Sequence, residues 1–375
     1  MNAYKKNIFL LILFIFIIVL LLNCGREKTI KIGYVGCLSG RHSDLGISGR
    51  NGVILAVEKI NNSGGINNCK IELIIRNDRH DEETAVIVDK ELIHEKVIAI
   101  IGHMTSTMTM KVLPIINKEK IIMISPTTST DSITGIDDYL IRVMASNASE
   151  TENSTNYAIN SLNLKQITII YDITNSAYSE GYYKNFKQAF EKKGGAVVSV
   201  TTFKSGSVKS YLDLAKQICG QHADSVLIIA DALDTAFICQ QLQKLKCELP
   251  ILSSGWAMTD DFIKHAGSSG NGVIFTHRLN TESKNKNYLK FKKNFKHRFG
   301  YDHDFAAMFA YEAAYVLFES LKQNSNKEML KDTILSIKNF KGLQGDIEID
   351  AFGDPKRTNY IVIVENGQFK TLTPK

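Results

Sequence analysis

Apolar positions along this chain recur in two rhythms that take turns. Short β-branched runs, such as Val97–Ile101 and Ile121–Ile124, have the near-continuous hydrophobicity of strands buried on both faces. Between such runs lie longer stretches in which apolar residues return every three or four positions. Val53, Ala56, Val57 and Ile60 share one face of a helix predicted over about Ser48–Asn61. Val86, Val88, Leu92 and Ile93 do the same for Thr84–Glu95. Lys28–Gly36 alternates like a first strand and Ile71–Ile75 is a second. The Gly64-Gly65 pair supplies a stop after the first helix. Strand alternating with helix at this spacing predicts right-handed crossovers and a parallel sheet.

After Leu140–Val143 the pattern begins again. Helices are predicted at Glu150–Ser161, Gly181–Lys193, Tyr211–His222 and Asp234–Lys246. Strands are predicted at Ile167–Tyr171, Ala196–Phe203, Ser225–Ala230, Ile251–Ser254 and Val273–Thr276. Three more helices follow, at Tyr288–Phe299, Phe305–Gln323 and Met329–Ile337, then short β segments at Gly345–Ile349 and Tyr360–Glu365. Two such series and a return of chain predict an α/β protein of two similar parallel-sheet lobes with several crossings. The expected division is residues 25–144 and 275–340 for one lobe, and 145–274 and 341–375 for the other.

The first residues alter the picture. Lys5 and Lys6 precede an unbroken apolar run, Ile8–Leu22, and then Asn23-Cys24-Gly25. A basic start and an apolar stretch of this length form a secretory signal. Leu21-Leu22-Asn23-Cys24 resembles a lipoprotein signal, so residues 1–24 are expected to direct export, with lipid attached at Cys24. An uncleaved membrane anchor is the alternative, and either way the folded part stands outside the cytoplasm. Export permits disulfides among Cys37, Cys69, Cys219, Cys239 and Cys247, whose pairing the spacing leaves open. Cys37 and Cys219 read as buried small hydrophobes. With 44% hydrophobic and 22% charged residues the chain is ordinary for a globular protein. Its net charge of +6 is dispersed with no basic, aromatic-laced patch, so no nucleic-acid partner is expected.

Candidate chemistry concentrates where two predicted strands end. Val97–Ile101 runs into Gly102-His103-Met104-Thr105-Ser106, and Ile121–Ile124 into Ser125-Pro126-Thr127-Thr128-Ser129. Ligands of open α/β sheets bind beyond the carboxyl ends of the strands. Hydroxyls and free N–H groups at helix N-termini suit a carboxylate there. Ser106 and Ser129 could equally cap helices. His103 reads as a hydrogen-bonded structural residue, and Asp78–Glu83 as a solvated loop. There is no HExxH, GxSxG or P-loop pattern, no nucleophile with a base, and no metal-ligand spacing. The reading is a binding protein without cofactor or metal, not an enzyme.

In order along the chain, IKIGYVGCLSG (30–40), GRNGVILAVEKINNSGGI (49–66), IAIIGHMTST (98–107), IIMISPTTST (121–130), YSEG (178–181) and ADALDTAFICQQLQK (230–244) resemble the branched-chain-amino-acid type of periplasmic solute-binding protein. The resemblance spans nearly the whole chain after the leader. It implies an α/β fold of two doubly wound parallel-sheet lobes joined by three crossovers, a ligand cleft between them, hinge closure on an amino acid or related small carboxylate, and delivery by a monomer to a membrane ABC permease. A ligand-sensing ectodomain using the same cleft is the alternative. The resemblance assigns the ligand carboxylate to Ser106, a backbone carbonyl to Thr127, a hydroxyl to Ser129 and an aromatic wall to Tyr178. Three positions depart from the leucine-binding members: Leu45 and Asp231 stand where those have tyrosines, and Gly255 where they have the glutamate that meets the ammonium. Asp231 is therefore expected to take over the ammonium contact, unless it only caps a helix. Trp256 is expected to wall the pocket.

Overall fold

A computed structural model describes residues 29–372. The expected leader, residues 1–24 with Cys24, lies outside the described residues. The first sheet has strand order β2-β1-β3-β4-β5, all parallel. Its strands are β1 (Thr29–Gly36), β2 (Lys70–Asn77), β3 (Ala99–Ile101), β4 (Ile122–Ser125) and β5 (Leu140–Arg142), linked through helices α1 (Ser43–Asn62), α2 (Glu82–His94) and α3 (Ser106–Glu119). Every residue of β3 and β4 is buried, as two-sided helix cover requires.

The chain then crosses into α4 (Asn147–Asn160), β6 (Gln166–Asp172), α5 (Ser176–Lys192), β7 (Ala196–Phe203), α6 (Tyr211–Cys219), β8 (Ser225–Ile229), α7 (Ala232–Lys244), β9 (Ile251–Ser253), α8 (Asp260–Ala266) and β10 (Ile274–His277). It returns as α9 (Lys286–Phe299), α10 (Phe305–Gln323) and α11 (Leu330–Ile337), with α10 packed along α1 against the first sheet. A small three-stranded sheet, β11 (Asn339–Lys341), β12 (Asp346–Ile349) and β13 (Pro355–Lys356), precedes the last crossing. Strands β14 (Tyr360–Glu365) and β15 (Gln368–Thr371) then complete a seven-stranded second sheet, β15-β14-β10-β9-β8-β6-β7, adding antiparallel at its edge. The fold is the expected pair of α/β lobes with three crossovers.

Buried arginines bind the crossovers together. Arg142 Nε donates to Asp354 Oδ1 at 2.8 Å. Arg357 Nε donates to the Val143 carbonyl at 2.9 Å, and its other arm pairs with buried Glu312. Arg278 Nη2 donates to the Ser146 carbonyl at 2.6 Å. Each arginine satisfies a main-chain carbonyl or carboxylate that the irregular crossing would otherwise leave unpaired.

Three local expectations are corrected. Helix α1 starts at Ser43, five residues before the predicted Ser48, because Gly46 and Gly49 serve close packing instead of breaking the helix. A Cβ at Gly46 would lie 1.8 Å from the Cys37 carbonyl oxygen. Asp78 is not solvated: it is buried and carries a bond to His103 at 2.7 Å. Cys219 is not a lone hydrophobe but is joined to Cys247 by a disulfide 28 residues apart in sequence. Cys37, Cys69 and Cys239 are free thiols. Among the described residues no helix is long and apolar enough to cross a membrane.

Candidate functional site

The turns after β3 and β4 are stapled side by side. Ser125 Oγ donates to the His103 carbonyl at 3.0 Å, and Thr127 Oγ1 donates to the Met104 carbonyl at 2.7 Å. Thr109 and Thr128 share a buried hydroxyl bond of 2.7 Å. Ser129 N–H donates to Ser106 Oγ at 3.3 Å. Together these bonds present the N-terminus of α3, with Thr105 and Ser106, to the gap between the lobes. The Thr105 hydroxyl is buried with no partner. With its hydroxyl proton engaged, Thr127 has backbone groups and hydroxyl lone pairs to offer a ligand, but no side-chain donor.

The opposite wall comes from the second lobe and the crossovers. Tyr178 sits in the first turn of α5, which starts at Ser176 instead of the predicted Gly181, and the Trp256 ring meets it edge-on at 5.7 Å. Burial holds the Tyr178 phenol far above its ordinary range, so it stays neutral. Trp256 lies in a single turn, Gly255–Ala257, directly after β9. These groups come together around a cavity of only about 30 Å³, room for a water molecule or two. Leu45, Met104, Met144, Trp256 and Phe305 give it an apolar lining.

Five of the six expected ligand-binding residues line this one cavity: Ser106, Thr127, Ser129, Tyr178 and Trp256. Asp231 does not. It is the N-cap of α7, accepting from Asp234 N–H at 2.7 Å, and it faces His42 Nδ1 at 2.9 Å across the rim of the cleft. The carboxylate is held by its own helix, away from the cavity, which corrects the expected ammonium role.

Two charged residues that the sequence reading passed over line the cavity instead. Glu150, in the first turn of α4, and Arg278, after β10, form a buried ion pair. Glu150 also accepts from the Gly255 N–H at 3.2 Å. Burial raises the Glu150 carboxyl, and Arg278 opposes that rise. His277 beside them is pushed down to about 3 by burial and Arg278, so its imidazole is neutral. An acid in the first turn of a helix reads as a dipole partner, and only the folding of α4 over the crossover aims it inward. Asn175, also in the lining, accepts from the Thr107 N–H at 3.1 Å and so ties the two walls together.

The arrangement offers hydroxyls and a helix N-terminus on one wall, a carboxylate on another and apolar rings between. It has no nucleophile aligned with a base. Over residues 29–368 the chain matches the model of the periplasmic binding protein family. The Leu/Ile/Val-binding protein of Citrobacter freundii is 22% identical over 255 residues, 68% of this chain and 69% of the relative. The leucine-, isoleucine-, valine-, threonine- and alanine-binding protein of Pseudomonas aeruginosa is 28% identical over 44% of each chain. In fold the chain is similar to the branched-chain amino acid transporter substrate binding protein LivJ of Streptococcus pneumoniae, solved with isoleucine. The TM-score is 0.86 at 23% identity, over 92% of this chain and all of that one. Matched by the family model along almost its whole described length, the chain belongs to the periplasmic binding proteins: it is an extracytoplasmic solute-binding protein and not an enzyme.

Proposed function

We propose that this protein captures an amino acid or related small carboxylate in the interlobe cavity and delivers it to a membrane ABC importer. The observation that carries the reading is the α3 N-terminus, with the Thr105 and Ser106 hydroxyls, facing an apolar-walled space between the lobes. Partial positive charge and unpaired donors there stabilise a carboxylate in surroundings that water cannot screen. Ser106 and Ser129 with backbone at Thr127 hold the carboxylate, while Tyr178 and Trp256 cover the side chain. The lobes, residues 25–144 with 275–340 and residues 145–274 with 341–375, close on the solute as a monomer. Lipid at Cys24 keeps the receptor at the membrane. Relatives named for binding leucine, isoleucine and valine support the ligand class.

Thermal unfolding of the chain from Gly25 onward, screened against the twenty amino acids and small carboxylates, tests the reading. A true ligand at about 100–1,000 times its dissociation constant stabilises the fold by roughly 3–4 kcal/mol. The shift should disappear in Ser106→Ala. Silence across both panels would sink the proposal.

A further inference from the structure

We propose that Glu150 is the anionic pole of this site, accepting the ligand's ammonium group and so making the receptor select α-amino acids over the matching 2-oxo acids. The inference rests on the reading of the cavity as an amino-acid site. An ammonium taken out of water into an enclosed space needs an anionic or otherwise strong acceptor. Among the described residues Glu150 and Arg278 are the charged side chains in the lining, so of these Glu150 supplies the negative charge.

Its partner leaves that charge available. Arg278 is tied down on several sides, donating to Glu150 Oε2 and to the Ser146 carbonyl at 2.6 Å, with Met144 Sδ at 3.5 Å. The remaining Glu150 oxygen, Oε1, accepts one backbone N–H at the long distance of 3.2 Å. A carboxylate oxygen has two acceptor positions, so Oε1 keeps room for a further donor. Gly255 makes this placement possible. A Cβ there would stand 3.3 Å from Glu150 Oε1, 2.4 Å from His277 Cδ2 and 2.9 Å from the Thr276 carbonyl oxygen. A side chain at 255 would therefore push into the wall that holds the carboxylate. A cationic helix end on one wall and this carboxylate on another match a zwitterion. Burial raises the Glu150 carboxyl, and an arriving ammonium would favour its ionised form.

The test compares binding of L-leucine, L-isoleucine and L-valine with that of their 2-oxo acids by calorimetry, in the full mature chain. The wild type should prefer the amino acids. Glu150→Gln should weaken amino-acid binding by about 10–100-fold and leave the 2-oxo acids within about threefold, collapsing the preference. Glu150→Asp, which keeps the charge, should retain part of it. If Glu150→Gln alone unfolds beside the unpaired Arg278, Glu150→Gln with Arg278→Gln removes both charges and reads the same ratio. A preference unchanged in the variant that folds would overturn the Glu150 role and leave Glu150–Arg278 a structural pair. A wild type that binds none of the six compounds would overturn the amino-acid reading itself, and this inference with it.

Discussion

His103 is fully buried in the turn that feeds the site, with Nδ1 2.7 Å from Asp78 and Nε2 3.3 Å from Asp89. Burial alone would push the imidazole down, but Asp89 and Asp78 outweigh it and raise the group to about 10. A raised base stabilises the fold fully below its unfolded value, roughly 6.5, and the contribution is lost as pH rises through the folded one. Unfolding midpoints in urea should therefore fall between about pH 6.5 and 10. Burial works against the Asp78 charge, yet His103 holds that carboxyl below its ordinary value, so its contribution is lost only in acid. His103→Ala leaves two buried carboxylates uncompensated and should cost about 3–5 kcal/mol. Midpoints that do not change across this pH range in the wild type would dismiss the buried imidazolium. At this scale the sequence was informative directly after a strand: that Ser106, Thr127 and Ser129 come together was legible because each trails a buried β run, and all three line one cavity. Asp231 was singled out and Glu150 passed over, although both stand at helix starts. Which of them lines the cavity depends on how α4 and α7 lie across the cleft, and no local pattern encodes that.

Helix α1 shows the same limit one level up. Gly46, Gly49 and Gly52 recur every third residue and read as helix-weakening, yet they form the face by which the helix meets its neighbours. A Cβ at Gly52 would stand 2.1 Å from the Ala307 carbonyl oxygen of α10, and one at Gly49 2.7 Å from the Tyr34 hydroxyl. Propensity and packing then oppose each other in Gly52→Ala. Helix propensity favours alanine by about 1 kcal/mol, while overpacking typically costs about 1–3 kcal/mol. With backbone as the obstacle, packing should win, and chemical denaturation should find the variant less stable than the wild type. A stabilised variant would show that α1 and α10 can separate at no cost. The strands and most helices were legible because their burial follows period and run length. The early starts of α1 and α5 were not, because close approach between elements is a property of pairs.

Closure of the two lobes is held at the cleft rim by a group of charged residues. From the first lobe Arg41 Nε donates to Ser205 Oγ at 2.9 Å, and its Nη2 donates to the Tyr211 hydroxyl at 2.8 Å and to Asp234. His42 faces Asp231 at 2.9 Å, and the Thr259 hydroxyl donates to Asp44 at 3.1 Å. Two of these groups, Asp44 and Asp234, titrate near neutrality, and a third, His42, is shifted upward. Burial disfavours charged His42, but Asp231 outweighs it and the imidazole is raised. Burial, then Asp231, raises Asp44 to about 7 and Asp234 to about 6. Asp172 also faces this group, while His80, pushed down to about 4 by burial and His42, adds no charge. His42 favours the closed form below about 6.5 and loses that effect as pH rises through its raised value. Asp44 faces Asp231 across the rim, so its ionisation near 7 adds repulsion to the closed form, whereas ionised Asp234 gains attraction to Arg41 across the rim and favours closure. Closure should therefore weaken as pH rises above about 6.5, and ligand affinity should fall by about 3–10-fold from pH 6.5 to 8.5 because apparent affinity scales with the closing-competent population. Arg41→Ala removes the largest group of contacts that span the rim, those to Ser205, Tyr211 and Asp234, and should weaken binding at every pH. It should also enlarge the radius of gyration seen by X-ray scattering, with each lobe still folded. Affinity that rises with pH, or Arg41→Ala with unchanged scattering and affinity, would show that the rim contacts only accompany closure and that the cavity walls alone draw the lobes together.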